Sequence, residues 1–402
     1  MVSIVTNQLA INEQHSTRLT SQAYTPNSDF SPIPVTWYID EAFYSIEQQS
    51  LLSAPKYVGH SLMTPNIGDY FVLPSTQNGK MLIHNEDGIK LSSNICRHRQ
   101  AVMFSGAGHA EQIICPLHRW TYQLNGQLLG APQFTETPCL HLTQRHLKSW
   151  QGLLFESHRN VAAELSKIKC AEHFNFADFK YSNMVIEDYD FNWKTFIEVY
   201  LEDYHVSPFH PGLNQFVDCN NLNWDFGEHF SAQIVGIRPD LAQSGSSVYQ
   251  AWQAALTAYA GNRPTDIGAI WLVFYPNLMI EWYPHVLVVS HVLPQGAHAC
   301  RNIVEFYYPE DIVLFEPDFI KAHQAAYFET ALEDKEICQR MHHGRLALNE
   351  DGKDERGPYQ HPLETGLAHF HQWLQKQYVL TESNGLVTHT EALNMHNKAV
   401  IS

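Results

Sequence analysis

The sequence predicts an α+β protein, a small all-β domain followed by a larger domain of mixed strands and helices. Three observations carry this. From Tyr57 to about Glu156, short apolar runs alternate with turn signals at Asn66–Gly68, Gln77–Gly79, Glu86–Gly88 and Asn125–Gly126, the texture of short antiparallel strands. Later runs at Ala269–Tyr275, Val286–Val292 and Asn302–Tyr308 are rich in β-branched and aromatic residues, which suit a pleated, half-buried surface. Helical stretches stand apart from these runs, at Asn192–Tyr204, Pro317–His343 and Gly366–Tyr378. Strands and helices grouped this way read as α+β.

Taken in order, residues 1–35 form an irregular arm, with Pro26, Pro32 and Pro34 near its end. Residues 36–56 contain a helix from Asp40 to Leu52, expected to pack on the larger domain. Phe43, Ile46 and Leu51 have helical spacing, and Asp40 and Glu41 place acids in the first turn, where the helix dipole favours them. Residues 57–160 form the all-β domain and 161–402 the larger one. In the last helical stretch Leu367, Phe370, His371, Trp373 and Leu374 lie on or near one stripe.

Composition narrows the function. The chain has 402 residues, 44% hydrophobic, enough for two domains with a sizeable core. A net charge of -17 argues against nucleic acid, which needs clustered Lys and Arg. It suits a cationic substrate or a basic redox partner, or simply solubility. The first 27 residues lack a basic-then-apolar leader pattern, and no run of about 18 apolar residues exists. The expectation is a cytoplasmic protein without a membrane span. Seven cysteines, an odd number, do not read as a disulfide framework. In a reducing compartment, close Cys and His residues point to metal.

Two constellations have metal-ligand spacing. Cys96 and His98 stand as C-x-H, and Cys115 and His118 as C-x2-H, on two loops of the β domain. Two thiolates can hold one iron of a [2Fe–2S] cluster while two imidazoles hold the other, which raises its reduction potential. A tetrahedral zinc site is the alternative, but common zinc fingers pair two cysteines, then two histidines. Cys139 and His141 repeat C-x-H without a second loop and read as structural. The second constellation follows the helix from Asn192. Glu198, Glu202 and His205 at i, i+4 and i+7 are expected on one helix face. Pro208 then bends the chain, letting His210 swing back toward His205. Two imidazoles and one distant carboxylate would make a facial iron site with open positions.

Together, Cys96-Arg-His98-Arg99 with Cys115 through Trp120, and Asn192 through His210, resemble the Rieske non-haem iron oxygenases, large (alpha) subunit. The likeness covers about residues 35 to 380, including Trp150–Phe155 and Pro276–Glu281. It implies an all-β Rieske domain beside an α+β helix-grip catalytic domain built on an antiparallel sheet. It implies a Rieske [2Fe–2S] cluster on Cys96, His98, Cys115 and His118, and mononuclear Fe(II) on His205, His210 and a carboxylate from Ala331–Arg340. Asp334 is that choice, with Glu333 its neighbour and competitor. Glu202 resembles the carboxylate that bridges a cluster histidine of one subunit to the iron histidine of the next in a homotrimer, so His98 or His118 would meet Glu202 of another chain. Gln100 and Arg119 stand where the family usually has glycine, and Val199 where relatives often carry Asn.

The implied reaction inserts one or both atoms of O2 into a small organic substrate. Electrons come from a separate NAD(P)H-dependent flavin/iron–sulfur reductase or a ferredoxin, since this chain has no Gly-rich dinucleotide fingerprint. Aromatic compounds, hydroxylated or O-demethylated, are the first expectation for the substrate. Quaternary ammonium compounds of choline, carnitine or betaine type are the alternative, because Glu at position 202 resembles that subgroup. Their cation would use aromatic faces, with Tyr200, Phe209, Trp271, Tyr275 and Trp282 as candidates. A non-catalytic [2Fe–2S] electron-transfer protein is the reading from another class. No beta-like domain is fused here, so an alpha-only assembly is expected.

Overall fold

The computed structural model describes residues 29–52, 54–238, 245–260 and 267–383, so most of the predicted arm lies outside the described residues. Helix α1 (Glu41–Leu52) precedes the β domain. That domain contains β1 (Lys56–His60), β2 (Asp69–Val72), β3 (Lys80–Asn85), β4 (Gly88–Ser93), β5 (Ala107–His109), β6 (Ile113–Ile114), β7 (Thr121–Tyr122), β8 (Leu128–Gly130), β9 (Gln144–His146), β10 (Lys148–Trp150) and β11 (Leu153–Glu156). They make a five-stranded sheet in the order β5-β2-β3-β4-β9 and two three-stranded sheets, β1-β11-β10 and β6-β7-β8.

The larger domain begins with α2 (Val161–Leu165) and β12 (Phe179–Tyr189). There follow α3 (Trp193–Tyr200), α4 (Val206–Phe209), α5 (Leu213–Phe216), β13 (Val217–Gly227), β14 (Phe230–Ile237) and α6 (Ser247–Ala260). The hairpins of β15 (Ile267–Phe274), β16 (Leu278–Tyr283), β17 (Val286–Gly296) and β18 (Ala299–Pro309) come next. Then come α7 (Glu310–Phe315), α8 (Pro317–Glu350) and α9 (Thr365–Ser383). Seven strands pair antiparallel in the order β12-β18-β17-β16-β15-β14-β13.

The alternation of strand side chains assigns the two faces of this sheet. Ile270, Leu272, Leu278, Ile280, Leu287, Val289 and Tyr307 join a core shared with Tyr57, Phe71, Leu82 and Phe155 of the β domain. Trp271, Val288, Val304 and Phe306 face the other way, toward α6 and α8. The β domain is therefore fused to one face by a continuous apolar core, and the site lies on the other. Two expected aromatic candidates fall away for this reason. Trp282 packs on the β-domain face beside His173, and Tyr275 sits in a separate core with Phe370 and Trp373.

Helix α1 meets the larger domain through buried groups as well as its apolar residues. Glu47 accepts hydrogen bonds from Trp193 Nε1 (3.0 Å) and Tyr378 Oη (2.9 Å) and pairs with the Lys194 ammonium. Trp37 stacks on Phe43, and Tyr378 meets both rings edge-on. Buried charges of this kind persist only when paired.

Candidate functional site

The two cluster loops are built alike. Each closes with a backbone bond across four residues, Gln100 N–H to Cys96 C=O and Arg119 N–H to Cys115 C=O, both 3.1 Å. Gln100 (φ 57°) and Arg119 (φ 61°) consequently sit in the left-handed region, which glycine enters freely and other residues only at a cost. This is the physical reason a glycine suits these two positions. Asn94, fully buried, fastens the base of the first loop. Its Nδ2 donates to Asn78 C=O and Phe104 C=O, and its Oδ1 accepts from Phe104 N–H, each at 2.9 Å.

These loops bring the predicted cluster residues together. The rings of His98 and His118 lie 4.8 Å apart, and His98 stacks on Trp120 at 4.9 Å. Cys96 and Cys115 are both buried. Burial alone would raise the Cys96 pKa. The N–H groups of His98 and Arg99, the Tyr122 hydroxyl and the Cys115 thiol outweigh it and lower the pKa. His98 Nδ1 is shut from solvent and has no hydrogen-bond partner among the described residues. Stabilised sulfur beside an unused imidazole nitrogen fits a cluster held by two thiolates and two histidines. His118 is exposed, so one edge of the site faces outward. Cys139 Sγ and His141 Nε2 lie 3.6 Å apart, and His141 Nδ1 accepts from Leu128 N–H at 3.0 Å.

The iron-type constellation forms, but not on one helix face. Asn192 caps α3, accepting from Lys194 N–H (3.0 Å), an ordinary N-cap bond. The helix ends at Tyr200, where Gln233 Nε2 donates to the Tyr200 carbonyl at 2.7 Å. Glu202 and His205 lie in the irregular turn beyond it, so the predicted helix to Tyr204 and the shared face with Glu198 are corrected. Pro208 is no bend either, for it lies inside α4. A short helix of Val206–Phe209 turns His210 back, and its ring centre lies 4.8 Å from that of His205.

The distant carboxylate arrives on α8. Asp334 Oδ1 is 3.0 Å from His210 Nε2 and 3.4 Å from His205 Nε2. The ligand atoms of these three residues lie within 4.8 Å of one another. Asp334 continues the inward stripe of Phe319, His323, Ala326 and Cys338, whereas Glu333 is turned by about 100°. Glu333 reaches the other side of His210, with Oε2 2.7 Å from Nδ1. Glu202 plays the matching part on His205. Its Oε1 contacts Nδ1, and its Oε2 accepts from the N–H groups of Tyr204 (2.6 Å) and His205 (3.1 Å).

Electrostatics favours a cation here. Burial opposes charge on His205, yet Asp334 and Glu202 lift its pKa to about 10. Burial likewise opposes charge on Asp334, but both imidazoles pull its pKa down to about 2. Three carboxylates around two imidazoles leave surplus negative charge that a divalent ion would neutralise. A facial set of two nitrogens and one oxygen, open on one side, fits ferrous iron.

The open side faces a cavity of about 80 Å³, room for several waters or one small organic molecule. Tyr200, Trp271, Tyr249, Tyr283 and Tyr327 supply its walls, with Val199 an apolar neighbour. Phe209 contacts His210 from outside the lining. Glu281 and Asp203 are acids of this wall whose placement the sequence did not reveal. Glu281 accepts from Tyr283 Oη at 2.8 Å, and Tyr283 Oη in turn accepts from Trp271 Nε1 at 2.9 Å. Burial, helped by the charge on Asp334 and moderated by Tyr283, pushes the Glu281 pKa up to about 8. An acid inside the apolar strand Leu278–Tyr283 was the available signal, since such residues are seldom buried without purpose.

The family described as "Ring hydroxylating alpha subunit (catalytic domain)" matches residues 161–379, and that described as "Rieske [2Fe-2S] domain" matches residues 63–148. Putrescine 2-hydroxylase of Ralstonia nicotianae is 52% identical over 86% of this chain and 94% of its own length. The chloroplastic choline monooxygenase of Beta vulgaris is 27% identical over 87% of this chain and 78% of its own. The fold resembles that of a quaternary ammonium Rieske monooxygenase bound to an inhibitor, with a TM-score of 0.69 and 19% identity, covering 87% of this chain and 95% of that one. The paired cluster loops, the two-histidine, one-carboxylate centre and these matches together establish that the chain belongs to the Rieske non-haem iron oxygenases, as a large (alpha) subunit with a [2Fe–2S] domain and a mononuclear-iron catalytic domain.

Proposed function

We propose that this oxygenase hydroxylates a small aliphatic amine, of which putrescine is the leading candidate. The observation that carries the reading is the cavity wall. Among the described residues that line it, aromatic rings and the acids Glu281 and Asp203 are present, and no Lys or Arg is. Such a wall attracts an ammonium and gives an aromatic or carnitine-type carboxylate no Lys or Arg to pair with. The first-expected aromatic substrate therefore gains no support. The likeness to putrescine 2-hydroxylase points the same way.

The net reaction is R–H + O2 + two electrons + two protons → R–OH + water. His205, His210 and Asp334 would hold the iron, and Cys96, His98, Cys115 and His118 the cluster; when bound, these groups supply oxygen activation and electrons. Glu202 and Glu333 fix the Nδ1 sides of the two imidazoles and leave both Nε2 atoms turned toward Asp334. Fixed tautomers of this kind are a general need of metal-binding histidines. Electrons enter from a separate reductase or ferredoxin. In a homotrimer they would cross from the exposed His118 of one chain to Glu202 of the next.

A quaternary ammonium substrate is the second reading, supported by the choline monooxygenase likeness. It is weaker because such a cation has no N–H to donate to Glu281 or Asp203. The test is a single turnover of the chemically reduced holoprotein with O2 against putrescine, choline, carnitine and benzoate, read by mass spectrometry. One added oxygen on putrescine is expected. Product from benzoate with none from the amines would overturn the reading.

A further inference from the structure

We propose that Glu281 and Asp203 are the two ends of a diammonium cradle, each taking one charged amine of a linear diamine across the iron site. This rests on the amine reading above and names the residues that would set its specificity.

The two acids stand on different elements and reach one cavity. Glu281 projects from β16, opposite Trp271 of β15 and Val288 of β17. Asp203 lies in the turn between α3 and α4, held by its N–H bond to the Leu363 carbonyl at 3.1 Å. Both line the cavity together with His205, His210 and Asp334. Glu281 is 4% exposed and Asp203 2%.

Neither acid is satisfied by the protein alone. Both Asp203 oxygens are shut from solvent, and among the described residues no N–H or O–H donates to them. The Cys219 thiol lies beside them, and a thiol is only a weak donor. Among the described residues, Glu281 takes a single neutral bond, from Tyr283. The Tyr200 hydroxyl on the same wall is also buried, without a partner among the described residues. Buried acids left this way hold their proton, as the Glu281 pKa of about 8 shows, because an unpaired carboxylate costs more than almost any other buried group. An ammonium offers three N–H donors and a full positive charge, which would meet each of these unmet acceptors.

Two acids at separate points on one small cavity also impose a length. A diamine bridging them would be gripped at both ends, inside the cavity that His205, His210 and Asp334 also line. A monoamine would satisfy one end and leave the other acid buried and bare. A quaternary ammonium would satisfy neither by hydrogen bonding. Discrimination of this type is large because the penalty falls on the unpaired protein group.

Anaerobic calorimetric titration of the iron- and cluster-loaded protein tests this with putrescine, n-butylamine, choline and 1,5-diaminopentane. Wild type should bind putrescine about tenfold or more tighter than n-butylamine or choline. Glu281→Gln and Asp203→Asn should each bring putrescine down to the n-butylamine level, with iron and cluster content unchanged. Glu281→Asp keeps the charge but draws back by one methylene, so it should shift preference from putrescine toward 1,5-diaminopentane. Retained discrimination in either the Gln or the Asn variant would overturn the cradle, as would an unaltered length preference in Glu281→Asp. Binding of none of these amines by wild type would instead remove the amine reading itself, and the cradle with it.

Discussion

Glu202 contacts the Nδ1 side of His205 and also closes its own turn through two backbone N–H bonds, so removing its charge should disturb transfer more than binding. Glu202→Gln is expected to lower steady-state turnover by about 10–100-fold, with iron content and cluster absorbance retained; full activity would sink the bridging role. Asp334 and Glu333 separate in the same manner. Asp334→Ala should empty the iron site and leave the cluster, as metal analysis would report. Glu333→Gln should keep an iron site weakened by about 10–100-fold. In the β domain, Tyr122 Oη lies 3.5 Å from Cys96 Sγ and accepts from Arg97 N–H at 3.1 Å. A hydroxyl donated to a ligating sulfur favours the reduced cluster. Tyr122→Phe should therefore lower the midpoint potential, by about 60 mV for each 1.4 kcal/mol by which the bond favours the reduced cluster; an unchanged redox titration would show that the hydroxyl is not directed at the sulfur.

At the scale of elements, α1, α3 and α9 are joined through one buried ion pair. Lys194 and Glu47 are both fully buried, and Trp193 and Tyr378 donate to the same carboxylate. Lys194→Ala would strand Glu47 without a counter-charge, at an expected cost of about 3–5 kcal/mol. A urea unfolding curve would read this as a lower midpoint at unchanged slope; an unchanged midpoint would mean that Glu47 takes up a proton or a water at little cost. The end of α3 is the other decision made at this scale. Helical periodicity over Asn192–Tyr204 continues past Tyr200, but Gln233 from β14 takes the Tyr200 carbonyl and Leu363 takes the Asp203 N–H. Partners remote in sequence thus stop a helix that its own residues would extend, and this places Glu202, Asp203 and His205 in a turn. The expected spacing of Glu198 with them failed for the same cause. Glu198 instead receives Tyr38, Arg345 and His371 in a separate buried network.

Across the whole molecule, the β domain and the catalytic sheet meet at Glu305. Its Oε2 accepts from Tyr57 Oη of β1 at 2.6 Å and from Tyr307 Oη of β18 at 2.7 Å. Burial pushes its pKa up from the ordinary 4.5 to about 7, against the lowering effect of the two hydroxyls. A carboxyl held above its unfolded value binds its proton more tightly in the folded state, so the stability it lends is complete below pH 4.5 and is lost as pH rises through about 7. The loss over that window is about 3 kcal/mol by linkage. Glu305→Gln keeps a neutral partner for both tyrosines and should flatten the fall of the urea midpoint between pH 5 and 8. An equally steep fall in the variant would place the titrating group elsewhere.

What the sequence determined by itself was what its local spacing can express. Cys96, His98, Cys115 and His118 are readable because a loop of fixed size brings each Cys to its His. His205 and His210 are readable because one turn of chain suffices to bring them together, and the turn signals and apolar alternation mark the β domain and the sheet. Helix phase on α8 separates Asp334 from Glu333 once the buried stripe is known. Tertiary structure alone decided the substrate wall. Glu281, Trp271, Asp203, Tyr249 and Tyr327 come from β16, β15, the α3–α4 turn, α6 and α8, and no periodicity within any one element records that they share a cavity. Strand alternation says that Trp271 and Trp282 face opposite sides, but only packing says which side holds the iron site. The reason is physical: ligand geometry is set over a few bonds of chain, whereas a cavity is the space left where distant elements fail to touch.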